Sequence, residues 1–226
     1  MNANDSLAVE LRFLPASNAR TWDNVLEALI TWVPALRPAT VLRLADPEQR
    51  EQPWSPLLRS AICQACAASV KNGWLLAAES GPVGAITIDI RSKELRCSLA
   101  LPRLDKSPID AMLGLLALLH PIHRPAVAMA FDLNNRVDSE LVMQGLDGLS
   151  QLPPLLFFDE SSATAVGGAA YIRTAPCPVR SAPDGLILEL HPNFWEPQTE
   201  NDRIRISAVE RHFGISPGTP LVLLDT

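Results

Sequence analysis

Cysteines and histidines give this chain its widest chemical latitude, four of each. Cys63 and Cys66, in 60-SAICQACAASV-70, carry the C-x-x-C spacing of a dithiol redox centre or of half a zinc site. No second C-x-x-C and no neighbouring Cys/His pair completes four ligands. The Ala-rich surroundings read as a helix interior, with both thiols on an apolar face near Ile62 and Val70. Buried cysteine behaves as a small hydrophobe, so packing is the expected role of both. His120 and His123 flank Pro121 at a helix exit, where a cation answers the helix dipole and the proline makes a poor ligand platform, even with Cys97 or His191 as further donors. His191 ends the apolar run 185-GLILEL-190, and Asp132 and Asp159 stand at the ends of other strand candidates. A histidine with two carboxylates could move protons, but no serine or cysteine stands in a recognised nucleophile setting. The G-x-S-x-G, S-x-x-K and H-E-x-x-H patterns are absent. Asp89 and Lys93 lack the further acid of a metal-dependent nuclease and read as hairpin surface. No catalytic residue, metal or cofactor is therefore expected.

Charge says more by its distribution than by its sum. The formal net charge is −6, which argues against general nucleic-acid binding. Residues 1–131 hold 13 Lys/Arg against 12 Asp/Glu, whereas residues 132–226 hold 6 against 13. Between 132 and 160, Asp132, Asp138, Glu140, Asp147, Asp159 and Glu160 face one base, Arg136. Such a run either solvates a face or steers a basic protein partner.

The elements that must position these groups are short. Twenty prolines among 226 residues favour stiff connections over long helices. Residues 7–13 alternate as a half-buried strand does. Thr21 can cap a helix to Val33 that puts Trp22, Val25, Leu26, Leu29 and Val33 on one face. Strands are predicted at 40–44, 74–78, 85–90, 95–101, 126–133, 155–158, 169–173, 186–190 and 221–224, with 85–101 a hairpin. Helices are predicted at 57–70, 109–119 (Ser107 capping, Pro108 first), around 139–143, and at 204–213. Strands in consecutive runs with helices between them give an α+β fold: mixed, largely antiparallel sheet with helices on one face. The chain reads as one domain, 1–226, with 1–131 and 132–226 as its two similar lobes if it divides. No apolar run is long enough to span a membrane and the start lacks a signal-peptide pattern, so the cytoplasm and reduced thiols are expected.

Trp195 stands out among five tryptophans. It follows Phe194 in a proline-bounded loop with Glu196 and Glu200, where an aromatic can pack on a neighbouring helix or anchor an interface. The layout resembles a group of bacterial polymorphic-toxin antidotes, the immunity protein 52 family. The resemblance is carried by 8-AVELRF-13 with 22-WDNVLEALITWV-33, by WLLAAES followed by AITIDIRSKELRCSLALP, by AVAMAFD and AAYIRT, and by 184-DGLILELHPNFWEPQTENDRIRISAVERHFG-214. It covers most of the chain and rests on element order, not on one motif. It implies a binder without catalytic residues that neutralises one cognate, basic toxin. The expected contact residues are Asp132, Asp138, Glu140, Asp159, Glu160 and Trp195. A secretion-system adaptor, or a thiol- or metal-dependent enzyme, are the rival readings.

Overall fold

The computed structural model describes residues 6–44, 48, 50–78, 84–91, 94–102, 104–132, 148–149, 152–191, 194–196, 198–215 and 221–222. The alternation of Ser6–Phe13 forms strand β1, but all eight of its residues are buried, not half of them. Leu7, Val9, Leu11 and Phe13 enter one core. On the other face Glu10 and Arg12 pair with each other at 2.8 Å, which lets both charges leave water. The reason is position: β1 lies in the middle of a ten-stranded sheet.

The other strands are β2 (Thr40–Arg43), β3 (Glu51–Pro53), β4 (Asn72–Ala77), β5 (Ala85–Ile90), β6 (Leu95–Pro102), β7 (Val127–Asp132), β8 (Gly148–Leu149), β9 (Leu155–Asp159), β10 (Val179–Ala182), β11 (Gly185–Glu189) and β12 (Leu221–Val222). The sheet order is β10-β11-β9-β7-β1-β6-β5-β4-β2-β3, with antiparallel pairing throughout. Strands β8 and β12 form a separate pair. The sheet runs unbroken through the 131/132 boundary.

Helices α1 (Ala19–Trp32), α2 (Pro56–Ala67) and α3 (Pro108–Leu119) pack on the face that carries Leu7, Val9 and Leu11. Helices α4 (Glu160–Ala165), α5 (Ala169–Ile172) and α6 (Glu200–His212) cover the opposite face, over Val127, Met129, Phe131, Phe158 and Leu188. The class is α+β, as expected, but the helices are divided between two faces. The cause is readable in β7 and β9, whose residues are apolar on both sides and need cover on both.

Local chemistry sets the boundaries. Asn18, not Thr21, caps α1 by accepting from the Arg20 N–H. Ser55 and Ser107 cap α2 and α3, each with proline at the first helical position. Thr199 and Asp202 form a reciprocal capping box that starts α6 four residues before Ile204. The predicted strand over 169–173 is instead the one-turn helix α5: Gly168 at φ +90° redirects the chain, and the Ile172 and Arg173 amides bond back to Gly168 and Ala169 carbonyls. Strand β10, read as loop in the sequence, pairs with β11 through the turn Pro183-Asp184. The segment around 139–143 lies outside the described residues. Among the described residues no helix is long and apolar enough to cross a membrane.

Candidate interaction surface

Antiparallel pairing separates the residues that sequence had grouped. Val127 pairs with Phe158 and Ala130 with Leu155, so Asp132 and Asp159 stand at opposite ends of adjacent strands, about 20 Å apart along them. His191 follows β11, whose Glu189 pairs with Leu155, and its N–H reaches the Pro154 carbonyl. It therefore lies at the Asp132 end, and the trio His191, Asp132 and Asp159 is not assembled.

Asp159 is 3% exposed. Its carboxylate accepts from the Ser162 N–H at 2.8 Å and from the Ser161 and Ser162 hydroxyls, which caps α4. It is thus not part of an open contact face, contrary to the sequence expectation. The signal was present in Asp159-Glu160-Ser161-Ser162: a short acid followed by serines at a strand end is a helix-start pattern. Glu160 occupies the first turn of α4 and is exposed, where its charge opposes the helix dipole favourably. Asp132 is half-buried at the end of β7, opposite Leu7. Trp195 is half-buried, packs against the larger core and meets the buried Phe194 edge-on at 5.0 Å. Asp138 and Glu140 lie outside the described residues. Asp132 and Trp195 share one end of the molecule, and Glu160 stands at the other.

The corner at His191 has a structural chemistry. The ring is 3% exposed, and its Nε2 stands 2.8 Å from the Glu196 carbonyl. A carbonyl only accepts, so Nε2 carries the proton. Nδ1 has no hydrogen-bond partner among the described residues and faces the Asp202 carboxylate at 3.7 Å. The Nε2–H bond to the Glu196 carbonyl closes the loop that carries Phe194 and Trp195. Asp202 Oδ2 accepts from the Thr199 hydroxyl and N–H, and those bonds hold its pKa below the ordinary carboxylate value, with His191 adding to the effect.

The thiols are equally committed. Cys63 and Cys66 on α2 and Cys97 on β6 line one internal cavity of about 20 Å³ with Phe13, Trp22 and Ile62. Burial, helped by the Asp23 carboxylate, pushes Cys63 up to about 11; burial pushes Cys66 up to about 12 and Cys97 higher still. The two helix-exit histidines diverge. His120 approaches Asp184 at 3.1 Å, whereas His123 stacks on Phe13 and bonds to the Leu14 carbonyl. Asp89 pairs with Arg91 at 2.9 Å, while Lys93 lies outside the described residues. Among the described residues no three His, Cys, Asp or Glu side chains cluster to hold a metal.

No protein-family model matches the chain. No curated protein matches it. The fold is similar to a solved structure described as Pseudomonas aeruginosa T6SS protein PA0821, with a TM-score of 0.61 and 11% sequence identity. The match covers 93% of this chain and 76% of that one. At that identity the likeness is one of fold.

Proposed function

We propose that this chain is a binding protein of the type VI secretion setting, and more narrowly an antidote that neutralises a cognate toxin effector by forming a tight complex. The observation that favours binding over catalysis is the employment of the candidate residues: Asp159 caps a helix, His191 closes a loop, and Cys63, Cys66 and Cys97 are held as buried thiols. The fold likeness to a T6SS protein supports the setting. The choice of antidote over secretion adaptor rests on the resemblance in element order to the immunity protein 52 family.

The contact surface in this reading is drawn from the acidic C-terminal half: Asp132, Asp138 and Glu140 supply charge and Trp195 an aromatic anchor, while Glu160, at the other end of the molecule, falls outside it. Asp159 drops out because its carboxylate is buried. A face of one sign raises the encounter rate with a basic toxin, while a desolvated aromatic slows dissociation. The complex forms in the cytoplasm, before the toxin reaches its target. Charge reversal tests the surface: Asp138→Lys with Glu140→Lys lowers the association rate and flattens its dependence on salt. Unchanged rates at low and high salt would remove these residues from the surface. Growth rescue separates the two binding roles, since an antidote restores growth to cells making the toxin and an adaptor does not.

A further inference from the structure

Helix α6 lies over the second core but is weakly committed to it. Of its thirteen residues only Asp202 and Val209 are buried, against seven of twelve in α3 and six of fourteen in α1. Ile204, the first apolar residue of the helix, is 57% exposed. Burial of an apolar face is what ordinarily holds a helix in a fold, and α6 has little of it.

Its polar ties do not make up the difference. The Leu152 N–H reaches the Glu210 carboxylate only at 3.4 Å, and His191 Nδ1 faces Asp202 at 3.7 Å. Burial raises the Glu210 pKa, so seating the helix costs that carboxylate hydration. The far end is fastened by a clasp. The Tyr171 hydroxyl donates to the His212 carbonyl, His212 Nε2 donates to the Tyr171 carbonyl at 3.3 Å, and the two rings stack at 4.2 Å. Tyr171 is 39% exposed, so water competes for these bonds. Helix α4, on the same face, is held differently: the buried Ser162 hydroxyl donates to the Ala126 carbonyl of the sheet at 2.7 Å.

The bonds that make α6 a helix are local, and they travel with it. The Thr199–Asp202 capping box closes its start. Arg203 and Arg205 stand one turn from Glu200 and Asp202, at 3.7 and 3.9 Å. Gly214, at φ +71°, closes its end, with the Gly214 and Ile215 N–H groups on the Arg211 and Glu210 carbonyls. The chain is pinned on both sides: His191 holds the Glu196 carbonyl before the helix, and buried Ile215 anchors the chain after it. We infer that α6 is a latch that opens as a unit on an otherwise folded sheet, with the Tyr171–His212 clasp setting how often it opens. Opening uncovers part of the second core and leaves the β9–β11 ladder intact. This follows from how the helix is held and does not depend on the antidote reading.

The test is native-state hydrogen exchange of the full chain, read by mass spectrometry across low urea concentrations. Amides of residues 204–212 are expected to exchange through an opening with weak urea dependence. Those of β9 and β11 are expected to exchange only through global unfolding, with the full dependence. Two variants separate the local opening from the global one. Tyr171→Phe keeps the ring and removes the hydroxyl, and is expected to speed exchange in α6 about fivefold. Ile88→Val, in the first core, is expected to speed exchange in β9 and β11 about fivefold and to leave α6 unchanged. Exchange of α6 at the rate and urea dependence of β9 and β11 would overturn the inference. So would acceleration of α6 by Ile88→Val as large as that of the strands, or α6 exchange unaltered by Tyr171→Phe.

Discussion

The thiols of Cys63, Cys66 and Cys97 share one cavity, and burial raises the pKa of each, which favours the protonated form. At neutral pH a thiol reagent is expected to leave all three unlabelled in the folded protein and to label them rapidly in denaturant. Rapid labelling of the native chain at Cys63 would reopen the thiol-enzyme reading. Asp202 gives a pH dependence with a definite sign. Its folded pKa lies below its unfolded one, chiefly through the Thr199 hydroxyl and N–H. Its contribution is therefore present above the ordinary carboxylate pKa and is lost as pH falls through the depressed folded value. Denaturant midpoints are expected to fall less on acidification for Asp202→Asn than for the parent; parallel curves would contradict this. Thr199→Ala, which removes the other half of the box, is expected to cost about 1 kcal/mol. At this scale residue type was legible and partner was not. The sequence showed that His191 ends a strand, but only the pairing of β11 with β9 reveals that its ring bonds to the Glu196 carbonyl, five residues on.

Strand β11 begins at Gly185, where a Cβ would stand 2.2 Å from the Phe158 carbonyl oxygen and 2.4 Å from the Phe157 ring. Backbone cannot yield cheaply there, so Gly185→Ala is expected to lower stability by about 3 kcal/mol or more in urea unfolding. Strand β1 gives a contrasting test. Arg12→Met strands a buried carboxylate on Glu10 and is expected to cost about 3–5 kcal/mol, whereas Glu10→Leu combined with Arg12→Met recovers most of the loss. Non-additivity of the double variant is the readout; additive losses would mean that the pair is not what holds these charges. Elements with local signals were legible in sequence: the β5–β6 hairpin, and α3 between Ser107 and Pro121. Those decided by tertiary context were not. The alternation in β1 looked half-buried because a sequence pattern cannot register that a sheet is covered on both faces, and the four-residue α5 was too short to show a period.

The ten-stranded sheet joins the two charge-asymmetric halves of the chain through the β7–β9 pairing. Its α+β class followed from strands arriving in runs, while its order, with β1 at the centre, depends on long-range pairing that no local signal carries. The acidic half was visible at once as a count of charges, but the role of each acid was not: Asp159 belongs to a helix cap, and Glu160 beside it is exposed. The central claim concerns the whole molecule, that it acts by holding a partner. The most direct measurement is affinity capture of the tagged full chain from its own cells at physiological salt, with bound proteins identified by mass spectrometry and then co-expressed. The expected result is one stoichiometric partner that arrests growth when made alone and is harmless beside this chain. A captured secretion component without toxicity, or no stable partner at all, would contradict the antidote account.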